Sequence, residues 1–452
     1  MSDEFSVESV YAELLGRAPE NKMEPRLAPL RRAMDILGEP NKAFPIIHVT
    51  GTNGKTSTAR MIEAGLRAHG LSTGRYTSPH LSKVTERISI DGEPVSDETF
   101  VRIWDEIRPY LEIVDNELTA EGQPRLTYFE CLTILGFAVF ADQPVNVAVI
   151  EVGLGGITDA TNVGDGLVSV ITPISLDHTD LLGDTTEDIA HEKAGIIKPG
   201  GFLVSAAQPV DAAQVLLEKA KEVGVPFRFE GVEFGVESRT VAVGGQMVTI
   251  QGLADRYEGL LVPLHGAHQA ENAAVAVAAL EAFFGADKPL NPEVLQEAFA
   301  AVTSPGRLEV LRTAPTIVVD AAHNPEGIRV SAEALQEAFS FSKLVVVLGI
   351  LQEKDAEEIL RQLKDSLAEV PAEFCFTQSN SPRAIPAEEL GELALDLGFG
   401  EDVVHTAEKL DDALEWAVER AESNDDLAGG ILVTGSITLV AEARILLGKS
   451  EA

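Results

Sequence analysis

The stretch VTGTNGKTST, residues 49–58, leaves this chain few ways to fold. An apolar run at 44–50 (FPIIHVT) reads as a buried strand, and a glycine-bearing turn comes after it. Residues 56–69 then carry Ala59, Ile62 and Leu66 at helical spacing, with Gly70 as the stop. Strand, glycine turn, lysine, hydroxyl and helix in that order make an anion cradle. Backbone N–H groups and the positive end of the helix face a phosphate, and Lys55 adds a point charge. Thr56 can offer its hydroxyl to Mg²⁺. Gly54, Lys55, Thr56 and Ser57 are therefore the candidate phosphate-binding residues. Val49 stands where the broad P-loop pattern carries a glycine, so the loop departs from that pattern at one position.

Beyond this loop the chain keeps alternating in the same style. A second strand is expected at 72–77, and two buried-type strands lie between 145 and 172 (VNVAVIEV and LVSVIT). An Ala-rich helix is expected at 270–284, closed by Gly285. Strands alternating with helices imply a large three-layer α/β domain of P-loop type with a mostly parallel sheet. A break falls at 303–306 (TSPG), after which a new alternation starts with the strand TIVVDA (316–321), a helix to about Phe339, and the strand KLVVVLGI. Further strands are expected at 373–377, 402–405 and 430–434. The expectation is an ATP-binding domain over 1–303 and a smaller Rossmann-like α/β domain over 304–452.

Composition matters here mainly by exclusion. Asp and Glu total 72 against 35 Lys and Arg, for a net charge of −37. Such a surface repels nucleic acid and anionic membranes, so an anionic substrate must be held by a few local cations and amides. The apolar runs are strand-sized and too short to span a bilayer, and residues 1–9 are acidic and polar, unlike a signal peptide. A cytoplasmic protein is expected. Its two cysteines, Cys131 and Cys375, sit in apolar or aromatic strings without metal-ligand spacing, as buried free thiols.

Further clusters come directly after predicted strands, where α/β sheets bind ligands. Glu151 ends the strand before GLGGITDATN and is placed as a carboxylate ligand for a hard cation would be. The glycines there are not a dinucleotide fingerprint, because the third would fall at Thr158. SLDHTDLLG brings Asp177, His178 and Asp180, and AHEKAGIIKPG brings Lys193 beside Glu192. TSPHL places Ser78 near the phosphate loop; SPGRLEVL and VVDAAHNPEG supply Arg307, Asp320, His323 and Asn324. An Asp at a strand end can bind ribose, and an Arg can hold phosphate bidentately. The Glu151 segment favours a functional reading on its own; each of the other clusters, taken singly, is equally readable as structural.

Taken in order, GTNGKTST, TSPHL…TERI, TYFE, EVGLGGITDATN, LDHTDLLG, HEKAGIIKPG, SPGRLE and DAAHNP resemble the Mur-ligase superfamily. Within it, they resemble the folylpolyglutamate synthase/dihydrofolate synthase family over roughly residues 23–445. The resemblance implies that ATP phosphorylates a carboxylate and that the amino group of L-glutamate attacks the acyl phosphate. Making an amide from a carboxylate in water is uphill, so a leaving group must be installed first, and the charge crowding explains two Mg²⁺ ions and a cationic loop. By the same resemblance Ser78, Glu151 and His178, with Thr56, would hold Mg²⁺. Asn272, Arg307 and Asp320 would contact ATP. Thr127, Tyr128, Phe129 and Glu130, with Thr158, Asp159 and Ala160, would hold dihydropteroate or a reduced folate. His323 and Ser436 would help receive glutamate. Lys55, Glu151, His178 and Lys193 would carry the catalysis, with Lys193 carbamylated by CO₂; the plain alternative is a salt bridge from Lys193 to Glu192. The family's pterin-contacting segment matches poorly near Arg26, and Ile157 replaces a frequent arginine.

Two other readings compete. Peptidoglycan Mur ligases share the ATP chemistry but typically carry a UDP-binding domain ahead of the loop, where only about 49 residues stand here. A P-loop nucleotide switch would hydrolyse ATP without consuming glutamate. The expectation is a monomeric ligase acting on small molecules, using dihydropteroate, folates or both, with TYFE favouring both.

Overall fold

A computed structural model describes residues 6–19, 26–422 and 429–449. The strands are β1 Ile46–Thr50, β2 Thr73–Tyr76, β3 Ile88–Ile90, β4 Glu93–Pro94, β5 Val147–Glu151, β6 Gly166–Ile171, β7 Phe202–Ser205 and β8 Phe227–Phe229. They form one eight-stranded sheet in the order β4-β3-β2-β5-β1-β6-β7-β8. From β2 to β8 the pairings are parallel, and β3 and β4 add antiparallel edge strands. Every residue of β1 and β5 is buried, as expected of strands covered on both faces.

The first helix after β1 runs Lys55–Ala68, with Ala59, Ile62 and Leu66 on its buried side. It packs against the helix Ala267–Phe284, whose alanines are buried almost all round. Their close approach requires Gly65, because a Cβ there would lie 2.3 Å from Leu280 Cδ1. The sheet's other face is covered by helices Asp97–Ala120 and Tyr128–Asp142, with the N-terminal helix Val7–Leu15 against both. The three-layer, mostly parallel α/β expectation holds for this part of the chain.

Residues 235–262 depart from that alternation. Here β9 Gly235–Ala242, β10 Gly245–Gln251 and β11 Arg256–Val262 form an antiparallel sheet that packs on the helix Ala267–Phe284. Strand β12 Glu309–Thr313, whose sequence reads only as part of a ligand cluster, forms an antiparallel hairpin with β13 Thr316–Val319. With β14 Lys343–Leu348, β15 Ala372–Phe376, β16 Val404–Thr406 and β17 Gly429–Thr434 it makes a six-stranded sheet, ordered β12-β13-β17-β14-β15-β16 and parallel from β13 onward. Separate apolar cores cover its two faces. Cys131 and Cys375 are buried free thiols, and burial pushes both up to about 12. No helix among the described residues is long and apolar enough to cross a membrane.

Candidate active site

The loops after β5, β1 and β6 leave the carboxyl ends of three adjacent central strands of the large sheet, where open α/β sheets receive ligands. The loop after β1 turns at Gly51 (φ 151°) and Gly54 (φ 86°), conformations that glycine adopts without strain. A side chain at Gly54 is also barred by Asn272, whose Oδ1 would lie 2.6 Å from a Cβ there. Gly54 is the N-cap of the helix Lys55–Ala68, and no side chain caps that helix. Its first-turn amides are thus left for another acceptor.

Two lysine side chains converge on this loop. Lys55 Nζ donates to the carbonyls of Gly51 (3.1 Å) and Thr52 (3.0 Å), and Lys193 Nζ donates to the same Gly51 carbonyl at 2.8 Å. Lys193 comes from the end of the helix Thr186–Lys193 and is buried. Its bond is to the loop, so the alternative of an ion pair with Glu192 is not what the structure has. Burial first, and then the charge on Lys55, push the Lys193 amine down to about 7 against the opposing pull of Asp177, Asp159 and Glu192. Lys55 is held below the usual amine range by burial, with Glu151 and Asp177 acting against the shift.

Facing them, Thr56 donates its hydroxyl to both oxygens of Glu151 (3.0 Å each). Burial pushes the Glu151 carboxyl up, opposed by Lys55, the Thr56 hydroxyl, Arg307 and the Ser78 amide. This brings Lys55, Thr56, Ser78 and Glu151 into one neighbourhood. Ser57 lies deeper, sharing a 2.9 Å hydroxyl contact with Ser304 at the start of the C-terminal part. Asn272 donates to Gln269 (3.1 Å), which reaches Ser57 (3.4 Å).

A second cluster crosses between the two parts of the chain. Lys354, from the loop after β14, donates to Asp177 Oδ1 (2.7 Å) and lies 3.2 Å from His178 Nε2. A lysine only donates, so His178 Nε2 accepts and its proton sits on Nδ1. Asp177 Oδ2 lies 3.7 Å from His323 Nε2 and accepts from Asn324 at 3.4 Å. Asn324 in turn pairs with Asn53 in the phosphate loop (2.9 Å) and caps the helix Pro325–Ala338. Burial opposes ionisation of Asp177, but Lys354, His323 and His178 outweigh it and hold the carboxyl low. Lys354 and Asn53 were not singled out from the sequence, although both sit in loops directly after strands.

Of the predicted nucleotide residues, Arg307 lines a cleft with Thr56 and Ser78, and Asp320 directly follows β13 of the six-stranded sheet. Asp320 is buried and accepts from Leu308 N–H (2.9 Å) and Ala322 N–H (3.0 Å), shaping the turn that carries Arg307. Ser436 caps the helix Ile437–Leu446, and Gly435 N–H binds the Ala322 carbonyl, placing Ser436 near His323.

The dihydropteroate segment is a separate wall. Thr127 and Glu130 form a capping box at the start of the helix Tyr128–Asp142. Arg26 donates to Glu130 (3.2 Å) and to the Arg125 carbonyl (2.9 Å), so the poorly matching segment still reaches this wall. Phe129 lies against Gly153, where a Cβ would be 2.4 Å from its ring. Asp159 orders the loop that carries Thr158 and Ala160 by accepting from Leu154 and Thr161 N–H (2.9 Å each). The Thr161 hydroxyl also donates to Asp159 and accepts from His48 Nε2 (2.9 Å). Ile157 is exposed.

Residues 49–280 match the Mur ligase middle domain, and residues 306–437 match the Mur ligase glutamate ligase domain. A dihydrofolate synthase/folylpolyglutamate synthase of Mycobacterium tuberculosis is 45% identical over 96% of this chain and 92% of that protein. The chain belongs to the folylpolyglutamate synthase/dihydrofolate synthase family. Within this family of ATP-dependent ligases, the folylpolyglutamate synthase of Lacticaseibacillus casei is 37% identical over 94% of this chain and 97% of its own length. A crystal structure of the Mycobacterium tuberculosis folylpolyglutamate synthase complexed with ADP and AMPPCP superposes with a TM-score of 0.92 at 44% identity, covering 98% of each chain.

Proposed function

We propose that this ligase joins L-glutamate to the carboxylate of dihydropteroate and to a carboxylate of reduced folates, through an acyl phosphate made at the expense of ATP. The observation that carries the reading is the convergence of two lysine amines, Lys55 and Lys193, on the single Gly51 carbonyl beside an uncapped helix start. Neutral carbonyls compensate the Lys55 charge only weakly, and a polyphosphate would relieve both it and the free amides.

In this reading the amides of Gly54, Lys55, Thr56 and Ser57 bind the phosphates, with Asn272, Arg307 and Asp320 at the nucleotide. Lys55 stabilises charge as the phosphoryl group moves to the carboxylate. The donors Thr56, Ser78, Glu151 and His178 suit a hard cation that completes its shell with phosphate oxygens and water. They are few: among the described residues no group of three or more His, Cys, Asp or Glu is placed to hold a metal ion by itself. Mg²⁺ bound there would neutralise phosphate charge. Lys193, as its CO₂-derived carbamate, would place an anion beside that cation, and its depressed pKa supplies the neutral amine that carbamylation needs. Tyr128, Phe129, Thr158 and Ala160 would hold the pteroyl group, and His323 and Ser436 the incoming glutamate. The division is at 303/304, ATP bridges the two parts, and the enzyme acts as a cytoplasmic monomer without nucleic acid or membrane partners.

Use of both acceptors is favoured by the intact Thr127–Glu130 box and the ordered Asp159 loop. The test is direct. The protein is incubated with ATP, Mg²⁺ and glutamate plus either dihydropteroate or tetrahydrofolate, and product masses are read. A gain of one glutamyl residue on each acceptor is expected. ATP hydrolysis with no glutamyl product on either would overturn the reading.

A further inference from the structure

Arg60 lies one turn beyond Thr56 on the phosphate-loop helix. It lines a cleft shared with Thr77, Ser78, His80, Glu86 and Arg307. Its Nε is buried with no hydrogen-bond partner, and its one guanidinium contact is a long 3.5 Å approach to the Thr303 carbonyl. The nearby carboxylates are engaged elsewhere. Glu63, on the same helix, is taken by Arg75 and by Thr73 (3.1 Å). Glu86 accepts from the amides of Leu81, Ser82 and Lys83 at 2.8, 3.0 and 2.7 Å. Burial first, then Arg75, pushes the guanidinium down to about 9, so it remains charged at neutral pH.

A half-buried cation without a carboxylate is costly in any protein. In a chain with twice as many acids as bases it points to a ligand. The cleft's position indicates which one. Thr56 of the phosphate loop and His80 both line it. His80 Nδ1 accepts from Arg87 (2.9 Å), and Arg87 lies over the Tyr128 ring at 5.3 Å. The cleft is thus linked through His80 and Arg87 to the wall that carries Tyr128. A pteroyl molecule resting on that wall would present its carboxylate into the cleft.

We propose that Arg60 receives the acceptor's carboxylate, the group to be phosphorylated, and holds it beside the phosphate loop. This rests on the proposed ligase activity. Its test is equilibrium binding to the full chain in the presence of ADP, where no turnover occurs. Dihydropteroate and tetrahydrofolate are each titrated alongside counterparts whose carboxylates are carboxamides. Arg60→Gln should weaken the carboxylates roughly 10- to 100-fold, as loss of a charge-assisted contact does. It should leave the carboxamides and ADP within about twofold, and Arg60→Lys should recover part of the loss. Equal weakening of acid and amide, or weakening of ADP, would make Arg60 a structural residue and overturn the proposal. So would an unchanged acid affinity in Arg60→Gln. Wild-type protein that binds neither acid would instead bring down the ligase reading itself, and this proposal with it.

Discussion

Three helices begin at the same cleft, and they begin differently. The helix Lys55–Ala68, fed by the large sheet, starts at a glycine with no side-chain cap. The helices Pro325–Ala338 and Ile437–Leu446, fed by the six-stranded sheet, are capped by their own Asn324 and Ser436. The charged groups divide in the same way. Lys55 and Lys193 rest on backbone carbonyls, whereas Lys354 already has Asp177 and the Asp320 carboxylate already has two amides. One side is built with its donors free to receive an anion. The other has its polar groups already paired, Asp320 with its own amides and Lys354 across to Asp177, and is built to hold a shape and meet the first side.

That contrast is exposed to breaking at its strongest point by Lys55→Ala. Removing a cation that acts on transferring phosphate should lower kcat by about 10² to 10³ without unfolding the protein. A folded variant with near-normal kcat would remove the phosphate loop from the mechanism. Lys193→Ala comes next, with a loss of at least about tenfold. A short carboxylic acid at high concentration should restore part of it by standing in for the carbamate. Retained activity in Lys193→Arg would show that the residue works as a cation. Because the neutral amine fraction grows as pH rises through about 7, added bicarbonate should stimulate more at pH of about 8 than at about 6.

On the self-satisfied side the effects should be smaller and of another kind. Asp320→Asn puts an amide where two backbone N–H groups donate, so it should raise the KM for ATP and cost about 1–3 kcal/mol of stability. Loss of affinity without any change in melting temperature would mean that Asp320 acts only on the nucleotide. Ser436→Ala removes one helix cap and should cost about 1 kcal/mol, read as a small drop in Tm. A loss as large as that of Lys55→Ala would erase the distinction between the two sides.

The division also explains what was legible in the sequence. The strand, glycine turn and helix at 46–68 could be read because an anion cradle demands glycines, a lysine and a hydroxyl at fixed short spacing. Glu151 and Lys193 could be named because they sit in local motifs, and the geometry brings them to the loop. Lys354 could not, because its partner Asp177 is 177 positions away and nothing local marks LQEKD as polar machinery. The Asn53–Asn324 pair spans 271 positions and escaped for the same reason. The antiparallel sheet at 235–262 was missed because its strands alternate irregularly and bury only one face. Arg60 sits in no local motif, and its buried Nε without a hydrogen-bond partner exists only in three dimensions.

The central claim is that the phosphate loop serves phosphoryl transfer to a carboxylate. Isotope transfer tests it most directly. Dihydropteroate labelled with ¹⁸O in both carboxylate oxygens is turned over with ATP and glutamate, and the released phosphate is weighed. If the carboxylate attacks the terminal phosphorus, one labelled oxygen bridges carbon and phosphorus, and the glutamate amine then expels phosphate carrying it. The account predicts one ¹⁸O in phosphate for each amide formed. Unlabelled phosphate accompanying labelled amide product would contradict it.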